Sequence, residues 1–271
     1  MNRFAIPVLI GLVAVSVAVI VMRPAPRPAL IVPDLVHLGE GAFAYRPAGE
    51  FRVGTTIVDA PVQQMAAPAL DIMKYHVSEA DYARCIADAA CPAIATKGFS
   101  TQSQTGVNFA DANAYARWLS DLTGQQWRLP TDAEWLRIAG NRTTNDQLFI
   151  DATDADPSRR WLANYRREAA ARGKPDFTAY PQGHFGLNDL GVADIGGNVW
   201  EWTETCAQSG TLRADGTTIA TFSSYCGVRA VQGKHRAYVI DFIRDARSGG
   251  CGAGVPPDFL GFRLVRDPSA A

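Results

Sequence analysis

Residues 194–202 read Asp-Ile-Gly-Gly-Asn-Val-Trp-Glu-Trp, and few folds accommodate such a segment. Two carboxylates, an amide, two glycines and two tryptophans fall within one short stretch. Asp194 and Glu201 supply hard oxygen atoms, and the glycines let the backbone turn its carbonyls toward a common point. If the segment is extended, the carbonyls of Gly197 and Val199 and the side chain of Glu201 recur with period two and face one side. Oxygen donors drawn from side chains and carbonyls suit Ca2+. The alternative is a tight turn that sets Trp200 and Trp202 in the core and leaves two solvated acids.

Residues 128–135, Arg-Leu-Pro-Thr-Asp-Ala-Glu-Trp, end one element and begin a helix. Thr131 caps the first turn and Glu134 reaches back to it, forming a capping box. Ser78 with Asp81, and Asn108 with Asp111, mark two earlier helices in the same way. The helix after Asn108 carries an apolar face of Ala110, Ala114, Tyr115, Trp118, Leu119 and Leu122, and Gly124 stops it. The helix after Thr131 ends at Gly140. Short strands are expected near 41–46, 50–53, 68–75, 228–232 and 261–265, with long connections over 141–195 and 205–227. Helices and strands do not alternate, so a doubly wound sheet is excluded. No internal repeat is evident.

Three motifs in chain order, "RLPTDAEW" at 128–135, "DIGGNVWEW" at 194–202 and "GFRLVRD" at 261–267, together resemble the formylglycine-generating enzyme (sulfatase-modifying factor) family. Residues 45–54 look like that family's "IPGGxFxMG" opening, and residues 74–82 like its "KYEVTNAQY". The resemblance implies a loop-rich α+β domain with a C-type-lectin-like fold over residues 37–267. Composition allows this: a chain of 271 residues, 47% hydrophobic, can bury one large core, and 24 glycines with 16 prolines point to loops rather than a helical bundle.

The net charge of -1 gives no electrostatic reason to expect nucleic acid as a partner. Residues 4–22 form an uncharged, mostly aliphatic run that as a helix would be roughly 28 Å long, close to the bilayer core. Residues 1–23 are thus a signal-anchor or a long signal peptide. No clean A-x-A site follows the run, which favours the anchor. Residues 24–36 read as a stiff, proline-rich linker.

The chain has five cysteines: Cys85, Cys91, Cys206, Cys226 and Cys251. The Cys85/Cys91 and Cys206/Cys226 pairs resemble local disulfides of exported bacterial members of the family. Such bonds belong to oxidising compartments. The expected location is therefore the periplasm, anchored to the inner membrane by the N-terminal helix, or outside the cell if that segment is cleaved. The alternative is a set of reduced thiols in a cytosolic protein. Cys251 is left over, either buried or a reactive thiol.

Other chemistries are missing. Gly39-x-Gly41-x-x-Ala44 echoes a dinucleotide loop, but Arg46-Pro47 follows where a helix should begin. There is no P-loop lysine motif, no G-x-S-x-G and no H-E-x-x-H. The histidines at 37, 76, 184 and 235 are scattered and read as surface or packed residues.

The resemblance also implies a site. Asp194, Gly197, Val199 and Glu201 match a structural calcium site of the family, and Asn164, Tyr165 and Asp176 are weaker matches to a second. Arg244, Arg247 and Arg263 match arginines that hold loops and line the cleft; internal ion pairs are the alternative for them. Enzymes of the family oxidise a substrate cysteine with copper and O2, using two cysteines five apart just upstream of an "AAR" element. Here Asp245-Ala246-Arg247 stands for that element, and counting back places the two positions on Lys234 and Val239. Valine cannot bind copper, a lysine ammonium repels it, and soft Cu(I) needs thiolates. Copper is therefore not expected. Lys234, His235 and Cys251 remain as candidates for acid–base or thiol chemistry in the cleft.

The expected function is a membrane-anchored periplasmic accessory or maturation protein, a monomer, that binds a partner protein, a peptide or a small ligand. The alternative is a divergent oxidoreductase acting on a protein cysteine or a small molecule in the same cleft.

Overall fold

The structure, a computed structural model, describes residues 32–98, 100–142, 162, 166, 180–241 and 256–268. The apolar run at 4–22, together with Asn164, Tyr165, Asp176, Arg244, Arg247 and Cys251, lies outside the described residues. Among the described residues no helix is long and apolar enough to cross a membrane. Contacts separate Met1–Val32 from Pro33–Ala271, and the architecture below is that of the second unit.

The unit opens with six strands: β1 (Leu35–Leu38), β2 (Gly41–Tyr45), β3 (Glu50–Val53), β4 (Thr56–Val58), β5 (Gln63–Ala67) and β6 (Leu70–Met73). Helices α1 (Glu79–Ala87) and α2 (Phe109–Thr123) follow, then β7 (Trp127–Arg128) and α3 (Asp132–Ala139). The chain returns through β8 (Trp200–Leu212), β9 (Ile219–Gln232) and β10 (Arg236–Ile240), and ends on β11 (Leu260–Gly261) and β12 (Val265–Arg266). One sheet has the order β1-β6-β12-β7; a second runs β10-β9-β8-β3-β4 with β11 paired to β8; β2 and β5 form a third. The result is a sheet-rich α+β domain. β1 begins inside the stretch read as linker.

All three helices start where their caps place them. Asp81 donates its backbone N–H to Ser78 Oγ at 3.1 Å, Asp111 to Asn108 Oδ1 at 2.7 Å, and Glu134 to Thr131 Oγ1 at 3.2 Å. In each case the acid accepts the cap's own N–H in return. α2 ends at Gly124 in the left-handed region, φ 69°. Its buried face is centred on Tyr115 and Leu119, as expected, but it takes in Ala112 and Ala116, and Ala110 is exposed.

The C-terminal motif lies at the centre. Phe262 packs edge-on to Tyr82 and Tyr115, in a core shared with Trp118, Leu119 and Trp202. Val265 joins a second core with Ile72, Trp135, Ile138 and Ile195. β12 pairs with β6 through Val265↔Ile72, so the end of the chain closes the sheet that its beginning opens.

The segment 205–227 corrects the sequence reading. It is not a long connection but most of the β8–β9 hairpin. Both strands carry hydroxyl side chains toward solvent, such as the Ser209/Ser223 pair at 2.8 Å and the Thr211/Thr221 pair at 2.7 Å. Lacking an apolar alternation, they look like a loop. The expected disulfides are present, Cys85–Cys91 behind α1 and Cys206–Cys226 across the hairpin.

Phe262→Ala should lower the unfolding free energy by about 3–5 kcal/mol, because it leaves a cavity between α1 and α2. Asn108→Ala should cost only about 1 kcal/mol, the loss of one cap. Denaturant unfolding checks both.

Candidate functional site

The segment 194–202 folds as a turn, not as an extended strand up to Val199. β8 starts only at Trp200, so the period-two alignment of the Gly197 and Val199 carbonyls with Glu201 does not apply. Asp194 adopts φ 58°, a left-handed conformation that Asp tolerates better than most residues. Its carboxylate is buried and accepts two backbone N–H groups, from Gly183 at 2.5 Å and Phe185 at 2.8 Å. Gly197 is needed for contact: a Cβ there would stand 2.8 Å from the Phe185 ring. Asn198 fastens the neighbouring loop by accepting from the Tyr180 N–H at 3.2 Å and donating to the Tyr180 carbonyl at 3.0 Å.

Glu201 sits in a fully buried cluster. Arg263 grips it as a fork, Nε to Oε2 at 2.6 Å and Nη2 to Oε1 at 2.9 Å. His76 Nε2 lies 2.9 Å from Glu201 Oε1 and 2.9 Å from Arg263 Nη2. Arg263 also donates to the carbonyls of Lys74 at 3.1 Å and Ala193 at 3.0 Å. Burial alone would raise the Glu201 carboxyl, but Arg263 and His76 outweigh it and hold it at about 2. Arg263 therefore does not line a cleft; its side chain is sealed on Glu201, the internal ion pair that was the other reading.

This bears on the implied calcium. Both oxygens of Glu201 accept from Arg263, Oε1 also lies against His76, and each oxygen of Asp194 accepts one backbone N–H. A Ca2+ drawing on Glu201 would share that carboxylate with a buried guanidinium, a like charge in a site closed to solvent. In this arrangement the four residues do not fit the ion. His76 stands where the motif "KYEVTNAQY" has a glutamate, so a ring and an arginine complete the acid's surroundings.

The turn between β9 and β10 holds Gly233, Lys234 and His235. Gly233 packs flat on Trp200, where a Cβ would meet the ring at 2.9 Å. His235 stands edge-on to the same ring, centroids 4.7 Å apart, with Nδ1 2.9 Å from the Arg236 carbonyl and Nε2 buried without a partner. Both ends of the turn are tied to buried Asp132 at the start of α3. Gln232 donates to its Oδ1 at 2.6 Å, and Arg236 to its Oδ2 at 2.7 Å. Tyr45 completes the anchor at 2.9 Å, and burial beside Asp132 raises its phenol. The sequence reading missed Tyr45, Asp132, Gln232 and Arg236. Asp132 falls inside the 128–135 motif, but the capping box gives a role only to Thr131 and Glu134.

Lys234 and Val239 do not fit copper. Lys234 is exposed in the turn, and Val239 lies in β10 opposite Arg229. Neither offers sulfur, and four of the five cysteines are closed in disulfides.

Because the Glu201 carboxyl lies below its unfolded value of 4.5, its ionisation contributes stability that is complete above about pH 4.5 and is lost as the pH falls toward 2. Arg263→Met should cost about 3–5 kcal/mol by leaving a buried charge unpaired. The deficit should shrink as the pH falls, because a buried carboxylate without its arginine takes up a proton more readily. Adding Glu201→Leu should restore part of the loss. Urea unfolding between pH 2 and 7 reads all three.

Relatives and solved structures can be set beside this geometry. Over 106 residues the chain is 37% identical to the formylglycine-generating enzyme of Mycobacterium tuberculosis, covering 36% of this chain and 32% of that one. Over 109 residues it is 30% identical to the inactive C-alpha-formylglycine-generating enzyme 2 of Bos taurus, covering 38% and 33%. The chain thus spans about a third of the length of these relatives. The solved structure of PvdO from Pseudomonas aeruginosa shares the fold, with a TM-score of 0.54 at 21% identity over 87% of this chain and 94% of that one. Treponema denticola variable protein 1 aligns with a TM-score of 0.50 at 15% identity, over 86% and 95%. The model of the sulfatase-modifying factor enzyme 1-like domain matches residues 23–268, nearly the whole chain, and the chain belongs to that family.

Proposed function

We propose that this chain is an accessory member of the family that binds a partner protein, a peptide or a small ligand and does not carry out copper-dependent oxidation of cysteine. One observation carries the reading. A Cu(I) site of the family's kind needs two thiolates. With Cys85–Cys91 and Cys206–Cys226 closed, Cys251 alone remains of the five cysteines. One sulfur cannot reproduce a two-thiolate site. The relative named as inactive supports the view that the domain serves without this activity, while the Mycobacterium tuberculosis relative is named for it. Calcium is not part of the proposal, because Glu201 is paired with Arg263.

We place the domain in the periplasm, held to the inner membrane by residues 4–22. Two disulfides favour an oxidising compartment, and the apolar run has the length of a bilayer span.

The chain, incubated with Cu(I), O2 and a cysteine peptide carrying the family's substrate motif, should yield no aldehyde above a control without protein. Aldehyde above that control overturns the proposal. A periplasm-dependent reporter fused after residue 271 should be active; a fusion active only in the cytoplasm removes the assigned location.

A further inference from the structure

The two disulfides differ in a way that points to reactivity. Cys85 and Cys91 are both buried in the main core, at 0% and 7% exposure. In the hairpin bond, by contrast, Cys226 is exposed and Cys206 is half-buried. The ladder slips here: Cys206 lies opposite Arg229, yet Ala207 lies opposite Tyr225, so residues 226–228 form a bulge without pairing partners on β8. Tyr225, just before Cys226, is 68% exposed.

Arg229 breaks the symmetry between the two sulfurs. Its Nη1 donates to the Glu204 carbonyl at 2.8 Å and lies 3.2 Å from Cys206 Sγ. The guanidinium is held flat against Phe109, with Cζ 3.9 Å from the ring centroid, and its Nε–H is buried without a hydrogen-bond partner. It is a fixed cation with an unsatisfied donor beside one sulfur of the pair. A thiolate on Cys206 would be stabilised there.

We infer that Cys206–Cys226 is a thiol-exchange site, in which an incoming thiolate attacks Cys226 and Cys206 departs as a thiolate held by Arg229. The incoming sulfur forms a bond to Cys226 Sγ, the Cys206–Cys226 bond breaks, and its electron pair leaves on Cys206 Sγ. No external oxidant is required for this step. A second thiolate from the same reductant can then attack the mixed disulfide and leave both hairpin cysteines reduced. Exposure selects Cys226 as the sulfur attacked, and the cation selects Cys206 as the sulfur that leaves. Exchange is faster when the departing thiol is the more acidic one, so the two asymmetries act in the same direction. The attacking thiolate can belong to a small thiol or to a protein dithiol. The inference does not depend on what the domain binds or on the fate of copper chemistry in the family.

The test uses the full chain carrying Cys251→Ser, which removes the fifth cysteine. Reduced glutathione in one arm and a reduced thioredoxin in the other are added at neutral pH. Samples are quenched with acid, alkylated and mapped by mass spectrometry. The Cys206–Cys226 bond should open on the order of tenfold or more faster than Cys85–Cys91, with glutathione found on Cys226 and the alkyl label on Cys206. Arg229→Gln should slow opening on the order of tenfold, while Arg229→Lys, which keeps the charge, should recover most of the rate. Opening by glutathione assigns a small thiol, and opening by thioredoxin alone assigns a protein dithiol. Failure of both reductants, glutathione on Cys206, equal rates for the two disulfides, or an Arg229→Lys protein as slow as Arg229→Gln would each overturn the inference.

Discussion

The fork between Arg263 and Glu201 holds the domain in register. It joins the last motif of the chain to the first residues of β8, and its remaining donors reach the carbonyls after β6 and before Asp194. A planar guanidinium meets a carboxylate with two parallel bonds in only a narrow range of positions. Phe262 and Leu264 enter the main core beside it, and Val265 enters the second. The pair therefore sits where the two cores meet, and shifting the strand by one residue would pull it apart. Removing two charges from water is costly, so such a pair adds little net stability over an apolar one, but breaking it leaves a charge with no solvent.

A second buried acid performs the same task for the hairpin. Asp132 begins α3 and gathers Tyr45, Gln232 and Arg236 from three strands or their ends. This ties the turn at Lys234 and His235 to the body of the domain, while the outer half of β8 and β9 combines hydroxyl pairs on one side with a small apolar cluster of Leu212 and Ile219 against Phe51 on the other. The hairpin thus has a base anchored on Asp132 and an outer part packed on β3. The Cys206–Cys226 bond lies between the two, where the ladder slips and Arg229 crosses from β9 toward Phe109.

Cysteine use separates fold from chemistry in this chain. The family's scaffold needs the buried loop, the C-terminal motif and the capped helices, and all are present. Its copper chemistry needs paired thiolates, and four of the five cysteines here are closed in two disulfides. A fold and the chemistry it hosts are separable.

The local features of the chain were legible in its sequence. Each capping box spans four residues, so Ser78, Asn108 and Thr131 announced their helices without help from the rest of the chain. The tight-turn reading of 194–202 set Trp202 in the core, and the family resemblance implied the two disulfides. What only the tertiary structure decided are the pairings between residues far apart. His76 and Glu201 are separated by 125 residues and Arg236 and Asp132 by 104, and no periodicity links such positions. Nor could the sequence tell that Arg263 turns inward rather than toward a cleft, or that the polar segment after Cys206 is paired as strands. Caps and turns are set by atoms a few bonds apart, but the partner of a buried charge is set by whichever opposite charge the packed core brings beside it.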